Sequence, residues 1–234
     1  ALGLDPHRPT LVLTGGSQGA SGLNDLVFAA FPELSTRLPN LQFILLTGPN
    51  DVDKARATCP PGLRALVLPF LTEMELALGA ATLVVSRAGA SSLAEIAALR
   101  VPAILVPLPT SADDHQRLNA RAFAETGAAC FLDQRKTSPA QLAALASELV
   151  GDAAKRAQMQ TALARWHQPN AAADIAERIL RAVGLPAAVQ SETEVDWQPP
   201  ERFRKPAVTR DRGMLRPGEA ALIAAVTASP AGIP

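Results

Sequence analysis

Two glycine-containing clusters hold the residues of this sequence whose types and spacing could bind a phosphorylated ligand. The first comprises Gly15, Gly16, Ser17, Gln18 and Gly19, between an apolar run and a helical pattern. Glycines allow the backbone to turn tightly and approach a ligand, and the helix that follows offers unpaired N–H groups and a partial positive charge to a phosphate. The cluster therefore indicates either a diphosphate site or a tight turn without a ligand.

The spacing within this first cluster excludes two familiar nucleotide-binding loops. The run GGSQGA lacks the GxGxxG spacing of a dinucleotide-binding fold, and Asp51 comes too late to be the acidic residue that such a fold needs after its second strand. The lysine of a P-loop is also missing, so the β and γ phosphates of a triphosphate would have no partner. A nucleoside diphosphate is favoured instead.

The second cluster, SRAGASSLAEIAAL, begins at Ser86 and again joins an apolar run to a helical pattern. The carboxylate of Glu95 could accept both hydroxyl protons of a ribose. The alternative is a capping box, in which Ser92 and Glu95 satisfy each other's backbone N–H groups at the start of a helix. Because ligands of open parallel sheets bind where the carboxyl ends of the strands meet, we expect both clusters at one rim.

A third polar cluster, DDHQRLNA, begins at Asp113 and follows another apolar run. Gln116 offers a carbonyl and an amide to sugar hydroxyls, or else lies on the solvated face of a helix that Asp113 or Asp114 caps. The two aspartates are not expected to bind a metal, because adjacent residues at a helix start point in different directions and no third ligand is near. The sequence predicts neither a metal site nor a cofactor.

The elements that must position these clusters follow from the apolar pattern. Short runs rich in Leu, Val and Ile alternate with helical patterns, which is typical of an α/β fold: a parallel sheet with helices on both faces. Predicted strands cover 10–14, 42–47, 65–68, 82–86, 103–107 and 129–132; predicted helices cover 22–38, 73–79, 92–99, 114–125, 139–149, 153–166 and 171–183. The last three helices have no strands between them, so we expect them to cover the sheet edge.

Composition divides the chain into a globular domain, residues 1–184, and a tail, residues 185–234. The tail contains seven prolines and a polar run, which predicts a linker or disordered extension with one possible helix at 218–229. The formal net charge of zero provides no electrostatic footprint for nucleic acid. Cys59 and Cys130 lack metal-site spacing, and no run is long enough to span a membrane, so we expect a soluble or peripheral protein of the reducing cytoplasm.

Taken together and in this order, GGSQGA, SRAGASSLAEIAAL and DDHQRLNA resemble the C-terminal domain of the MurG family of inverting glycosyltransferases, which have two facing Rossmann-like domains. The motifs span residues 14–120, and the resemblance extends through Val183. It implies the C-terminal half of a GT-B fold, with UDP-N-acetylglucosamine as the donor. The acceptor would be lipid I, and the product lipid II of peptidoglycan synthesis.

The resemblance also implies which residues bind the donor. Gly16, Ser17 and Gln18 would lie near the diphosphate, and Leu71 would offer backbone contacts to uracil. The nucleotide would be cradled by Ala90, Ser91, Ser92, Leu93, Ala94 and Glu95. Within that stretch Glu95 would hold the ribose. Gln116 would bind the sugar hydroxyls, with His115 beside it at a position that is often a second glutamine, and Arg87 would support its loop or else lie solvated at the rim.

No nucleophile or general base is apparent, because His7, His115 and His167 lack carboxylate partners at a recognisable spacing. In the family that the chain resembles, the acceptor site, the base and the membrane-facing patch belong to the N-terminal domain. The chain also begins without Met, so we expect half of an enzyme that acts at the cytoplasmic face of the inner membrane. The alternatives are the donor subunit of a glycosyltransferase with another acceptor and a nucleotide-sugar-binding module without catalysis.

Overall fold

A computed structural model describes residues 2–16 and 18–184 of the chain. The strands are β1 Thr10–Thr14, β2 Gln42–Leu46, β3 Arg64–Leu68, β4 Leu83–Ser86, β5 Ala103–Leu105 and β6 Cys130–Phe131. The helices are α1 Ser21–Arg37, α2 Val52–Thr58, α3 Met74–Ala80, α4 Ala90–Leu99, α5 His115–Glu125, α6 Pro139–Gly151, α7 Ala153–Leu163 and α8 Ala171–Ala182. A short 3-10 turn, Ala112–Asp114, precedes α5. The predicted tail, 185–234, lies outside the described residues, as does Ser17.

All six strands form one parallel sheet in the order β3-β2-β1-β4-β5-β6. In the register of its centre, Leu11 of β1 stands opposite Phe43 of β2 on one side and Leu83 of β4 on the other. Leu11, Phe43 and Leu83 belong to the core cluster on one face of the sheet. The opposite face carries the next residue of each strand, and these residues are also fully buried: Val12, Ile44 and Val84. The sheet is therefore covered on both faces, which confirms the predicted α/β class.

The core on one face of the sheet is formed by apolar residues of β1, β2 and β4 together with α1 and α6. Phe31 of α1 packs edge-on against Phe43 of β2, with ring centroids 5.3 Å apart. Each aromatic side chain buried in this way stabilises the fold by about 1.5–3 kcal/mol relative to the exposed state. Leu142 and Leu149 of α6 belong to the same cluster. The prediction that α6 covers the sheet edge is thus wrong, because its apolar residues pack with α1 over the face.

The predicted strand at 103–107 ends two residues early, at Leu105. The N–H of Val106 still bonds to Ser86 O of β4, and the carbonyls of Val106 and Pro107 accept hydrogen bonds from the side chain of Arg87. The predicted helix at 153–166 ends at Leu163, because the N–H of Trp166 bonds to the carbonyl of Leu163 in a tighter turn. The sequence pattern missed α2 altogether.

By its contacts the chain divides into a compact unit, Gly3–Pro169, and a second unit that contains α8. Taken by itself, α8 carries Ile175 and Ile179 one helical turn apart, each 58% exposed. None of the helices in the described part of the chain is both long enough and apolar enough to cross a bilayer.

Candidate functional site

The strand order places the two glycine clusters on either side of one topological switch point. From β1 the chain proceeds to β2 on one side, and from β4 it proceeds to β5 on the other, so the direction of winding reverses between these two adjacent strands. Ligands of doubly wound sheets bind in the crevice at such a switch point, beyond the carboxyl ends of the strands. The loop after β1, residues 15–20, and the loop after β4, residues 87–89, flank this crevice. A backbone hydrogen bond from Arg87 N–H to Thr14 O, 3.3 Å long, joins the start of the second loop to the last residue of β1.

The loop after β1 leads directly into the N-terminus of α1. Gly16 has a φ of +84°, and a Cβ at this position would meet no atom within 4 Å. The N-cap of α1 is Ala20, which has no side-chain acceptor, so within the described residues no N-cap side chain bonds to this helix start. Leu23 N–H donates to the carbonyl of Ala20, whereas Gly22 N–H has no partner among the described residues and is available to an anion. Gln18 of this loop is exposed, and Ser17 is outside the part of the chain that the structure describes.

The loop after β4 leads into α4, whose N-cap is Gly89 with an extended backbone. Ser92 is therefore the third residue of the helix rather than its cap, and the capping-box interpretation of Ser92 and Glu95 is wrong. Glu95 is exposed and has no hydrogen-bonding or ionic partner among the described residues. Its carboxylate is free to accept from a ligand.

The other predicted residues of α4 differ in what they can offer to a ligand. Leu93 is 4% exposed, so its side chain belongs to the core and its backbone alone could face the crevice. Ala90, Ser91 and Ala94 are exposed, whereas Ser92 is half-buried. The helix thus presents one face with small side chains and Glu95 to the outside.

Arg87 holds the loop after β4 against the end of β5. It is buried, and its Nη1 donates to the carbonyls of Val106 and Pro107, at 3.0 Å each. Burial lowers the pKa of its guanidinium to about 10. The prediction that Arg87 supports its loop is confirmed, and the alternative of a solvated rim residue is wrong.

Gln116, near the start of α5, bonds to the loop after β4 and to the loop after β5. Its Oε1 accepts from the N–H of Leu108, at 3.0 Å, and from the N–H of Ala88, at 3.4 Å. Asn119, one turn further along α5, donates to the carbonyl of Ala88 at 3.1 Å. The alternative of a solvated helix face is therefore wrong for Gln116. Its carbonyl is engaged by the protein, and its amide N–H groups are what it could offer to a ligand.

His115 and the two aspartates before it form the turn into α5. His115 is exposed, and its Nδ1 lies 2.7 Å from the carbonyl oxygen of Ala112. Asp113 and Asp114 have φ values of +48° and +54°, and Asp114 occupies the N-cap without a capping hydrogen bond from its side chain. It pairs with Arg117 instead, at 3.2 Å. Nowhere in residues 2–16 and 18–184 do three metal-ligating side chains cluster.

The loops after β2 and β3 complete this edge of the sheet. Leu71, after β3, is half-buried. The loop after β2 was not singled out from the sequence, yet it touches the glycine-rich loop: a Cβ on Gly19 would lie 2.3 Å from Thr47 O. The available signal was Gly48 after a predicted strand, and Gly48 has a φ of +80°.

Comparison with known proteins gives a consistent result. The family model described as "Glycosyltransferase family 28 C-terminal domain" matches residues 10–179. A relative from Listeria monocytogenes, named UDP-N-acetylglucosamine--N-acetylmuramyl-(pentapeptide) pyrophosphoryl-undecaprenol N-acetylglucosamine transferase, is 38% identical over 183 residues, which are 77% of this chain and 50% of the relative. A relative of the same name from Chlorobaculum tepidum is 41% identical over 180 residues, 76% of this chain and 48% of the relative.

Among solved structures, the crystal structure of Acinetobacter baumannii MurG is similar with a TM-score of 0.66 and 30% sequence identity. The similarity covers 77% of this chain and 52% of that protein. The chain thus spans about half the length of the curated relatives that it matches.

Proposed function

This chain belongs to the glycosyltransferase family 28 C-terminal domains, as its three motifs predicted, and from this membership we propose that it is the donor-binding half of a transferase. The donor is UDP-N-acetylglucosamine, and the complete enzyme transfers N-acetylglucosamine to lipid I to form lipid II. The observation that carries the proposal is the topological switch point between β1 and β4, where α1 and α4 begin at N-cap residues, Ala20 and Gly89, that make no side-chain capping bond. The family match ends at residue 179, which supports residues 1–184 as the binding unit and 185–234 as an appended tail.

The proposed contacts follow the parts of the donor. Gly16, Ser17 and Gln18 offer backbone and side-chain donors to the diphosphate, together with the first turn of α1. The uracil ring binds to backbone groups of Leu71. Exposure and a free carboxylate support the assignment of Glu95 to the ribose, and Ala90, Ser91, Ser92, Leu93 and Ala94 form the surrounding wall.

The sugar is proposed to lie against the start of α5. The amide N–H groups of Gln116 donate to its hydroxyls while the Oε1 of Gln116 keeps its bonds to Leu108 and Ala88. His115 lies next to it and is exposed. Its ring could donate to a hydroxyl only through Nε2, since Nδ1 faces the carbonyl of Ala112.

The chemical contribution of this half is to stabilise the leaving group. As the bond from the anomeric carbon to the diphosphate breaks, negative charge develops on the β-phosphate oxygen. Preorganised N–H groups at helix N-termini stabilise such charge without reorganising during the reaction. The attacking hydroxyl of the acceptor must lie on the opposite face of the sugar ring, and it must lose its proton to a base. We assign both that hydroxyl's site and that base to the other half of the enzyme, whose complete form acts at the cytoplasmic face of the inner membrane.

Calorimetric titration of the chain with UDP, UDP-N-acetylglucosamine and GDP tests the donor assignment. Binding of both uridine nucleotides and not of GDP is expected, because the uracil edge meets backbone groups. Failure of the folded chain to bind UDP would overturn the proposal.

Lipid II formation tests the reaction. The chain alone should transfer no sugar to lipid I, and the chain joined to the N-terminal half of a MurG enzyme should give a β-linked product from the α-linked donor. Positioning of the two substrates by both halves is worth about 7–11 kcal/mol of barrier reduction. Donor binding without transfer in the joined protein would favour a non-catalytic nucleotide-sugar-binding module or a transferase with another acceptor.

A further inference from the structure

The glycine-rich loop after β1 crosses the loop after β2 in direct backbone contact. A Cβ on Gly19 would lie 2.3 Å from Thr47 O and 2.7 Å from the Cα of Gly48. A Cβ on Gly48 would in turn lie 2.6 Å from the carbonyl oxygen of Gln18. Both glycines have positive φ, at +76° and +80°. The position of each loop is therefore fixed by the other, with no side chain between them.

Directly beneath this crossing lies a buried polar pair, Asn24 of α1 and Asp51 at the N-cap of α2. The Nδ2 of Asn24 donates to Thr47 O at 2.9 Å and to Asp51 Oδ2 at 2.7 Å. Asn24 is 0% exposed and Asp51 is 8% exposed. Both N–H groups of the Asn24 amide are thus used to bind the loop after β2, which fixes the orientation of that amide.

The chemistry of this pair is unfavourable for packing alone. A buried carboxylate is costly when no cation pairs with it directly, and Asp51 has no ionic partner within 4 Å among the described residues. Lys54 pairs with Asp25 instead: that hydrogen bond raises the pKa of Lys54, and the nearby charge of Asp51 raises it further. Apolar residues of similar volume would hold two helices together at least as well. Only a directional hydrogen bond, however, fixes the distance between two loops that have no side chains at their contact.

We infer that Asn24 and Asp51 are positioning residues that hold the glycine-rich loop, through its crossing with the loop after β2, in the conformation that binds the donor diphosphate. This inference rests on the proposed function. Neither side chain reaches the crevice, since both are buried below the loops. Their effect passes through Thr47 and Gly48 to Gly19, and from there to the amides of the loop after β1.

The same two helices provide a matched control. Lys54 of α2 and Asp25 of α1 form an ion pair of 2.5 Å whose side chains are each 51% exposed. This pair joins α1 to α2 as the buried pair does, but it touches neither loop. Exposed pairs of this kind contribute little to stability.

The test compares Asp51→Ser, Asp51→Asn and Asp25→Ala in the full chain. Serine is a favourable N-cap residue for α2, where the side chain of Asp51 makes no capping bond, but it is too short to reach Asn24. Asparagine keeps an acceptor oxygen at the required distance. In Asp51→Ser we expect UDP affinity to fall about tenfold while uridine affinity changes less than about twofold, because only the diphosphate depends on the loop. Asp51→Asn and Asp25→Ala should bind both ligands like the wild type. Equal losses of UDP and uridine affinity in Asp51→Ser, or no loss of either, would overturn the inference.

Amide exchange in the free protein separates this inference from the proposed function. The Gly19 N–H, which bonds to Gly16 O at 3.1 Å, should exchange about tenfold faster in Asp51→Ser, with the amides of Leu11 and Leu13 in β1 unchanged. Unchanged exchange at Gly19 would show that the buried pair does not hold the loop. If Gly19 exchanges faster in Asp51→Ser as expected, but the wild-type chain binds no UDP, the donor assignment is refuted instead.

Discussion

Replacement of Glu95 tests the donor site most directly, because its carboxylate is exposed and has no partner in the described part of the free protein. Nothing must break before it can accept hydrogen bonds from a ribose diol. Glu95→Ala should therefore weaken UDP binding without weakening the fold, since alanine has at least the helix propensity of glutamate. The earlier possibility of a capping box would have predicted a loss of helix stability, but Gly89 occupies that cap.

The size of the effect follows from the number and kind of bonds. A hydrogen bond to a charged group contributes about 1.5–3 kcal/mol net, and two hydroxyls share this carboxylate at an exposed position where water competes. We expect Glu95→Ala to cost about 1–3 kcal/mol, which is a rise in Kd of roughly 5- to 150-fold. Glu95→Gln should lose less, because its carbonyl can still accept one of the two hydroxyl protons.

Calorimetry with UDP and with 2′-deoxy-UDP resolves whether the carboxylate contacts the ribose. In the wild type the deoxy ligand should bind more weakly than UDP, and in Glu95→Ala that difference should disappear, because the partner of the 2′-hydroxyl is gone. Thermal unfolding of the variant serves as the control for folding. The assignment of Glu95 to the ribose is refuted if the variant binds UDP like the wild type, or if the two ligands keep their difference.

Further expectations concern the sugar, the loops, metal ions and the cysteines. Gln116→Ala should weaken UDP-N-acetylglucosamine binding by about 1 kcal/mol more than UDP binding. Loosening of the loop that Gln116 holds affects both ligands equally, so the difference between the two calorimetric losses reports the contact with the sugar. Equal losses would remove Gln116 from the sugar site. Gly89→Ala should change the free energy of unfolding by less than about 1 kcal/mol, because a Cβ at this position would face open space. The same variant should lower UDP affinity in calorimetry, because the nucleotide is proposed to occupy that space. EDTA should leave UDP affinity unchanged, and a requirement for Mg²⁺ would contradict a site built on helix N-termini. Burial raises the pKa of the Cys59 and Cys130 thiols, so iodoacetamide should alkylate both more slowly in the folded than in the denatured chain at pH about 8; equal rates would show that burial does not protect them.

Sequence patterns predicted the centre of each strand because the parallel sheet imposes continuous apolar runs on its strands. They did not predict contacts with distant side chains. Just after β5 the carbonyls of Val106 and Pro107 bond to the distant side chain of Arg87, and no local pattern around those residues predicts these bonds. Likewise α2 has Ala55 as its one buried residue among seven, so it offers no apolar stripe from which a helix could be predicted.

The candidate site shows the same division between local and tertiary information. The order of three polar clusters at strand ends was sufficient to predict which loops meet at the rim. Local motifs were misleading at two positions: Ser92 and Glu95 have capping-box spacing, but the helix begins earlier, at Ala90. The role of Gln116 as a bridge to Leu108 and Ala88 also depends on contacts 8 and 28 residues away along the chain.

The glycines of the first motif serve two purposes that the sequence does not separate. Gly16 leaves open space beside the crevice, whereas Gly19 allows the loop after β2 to come within contact distance. Ordering the backbone of one residue costs about 1–2 kcal/mol, so a loop that ordered only on binding would lose several kcal/mol of donor affinity. The contact between Gly19 and Gly48, which Asn24 and Asp51 hold, orders the loop during folding, before the donor binds. We therefore expect donor affinity in this fold to depend on residues that never touch the donor, and we expect a substitution at Gly19 to impair binding through the loop after β2 rather than through a lost contact.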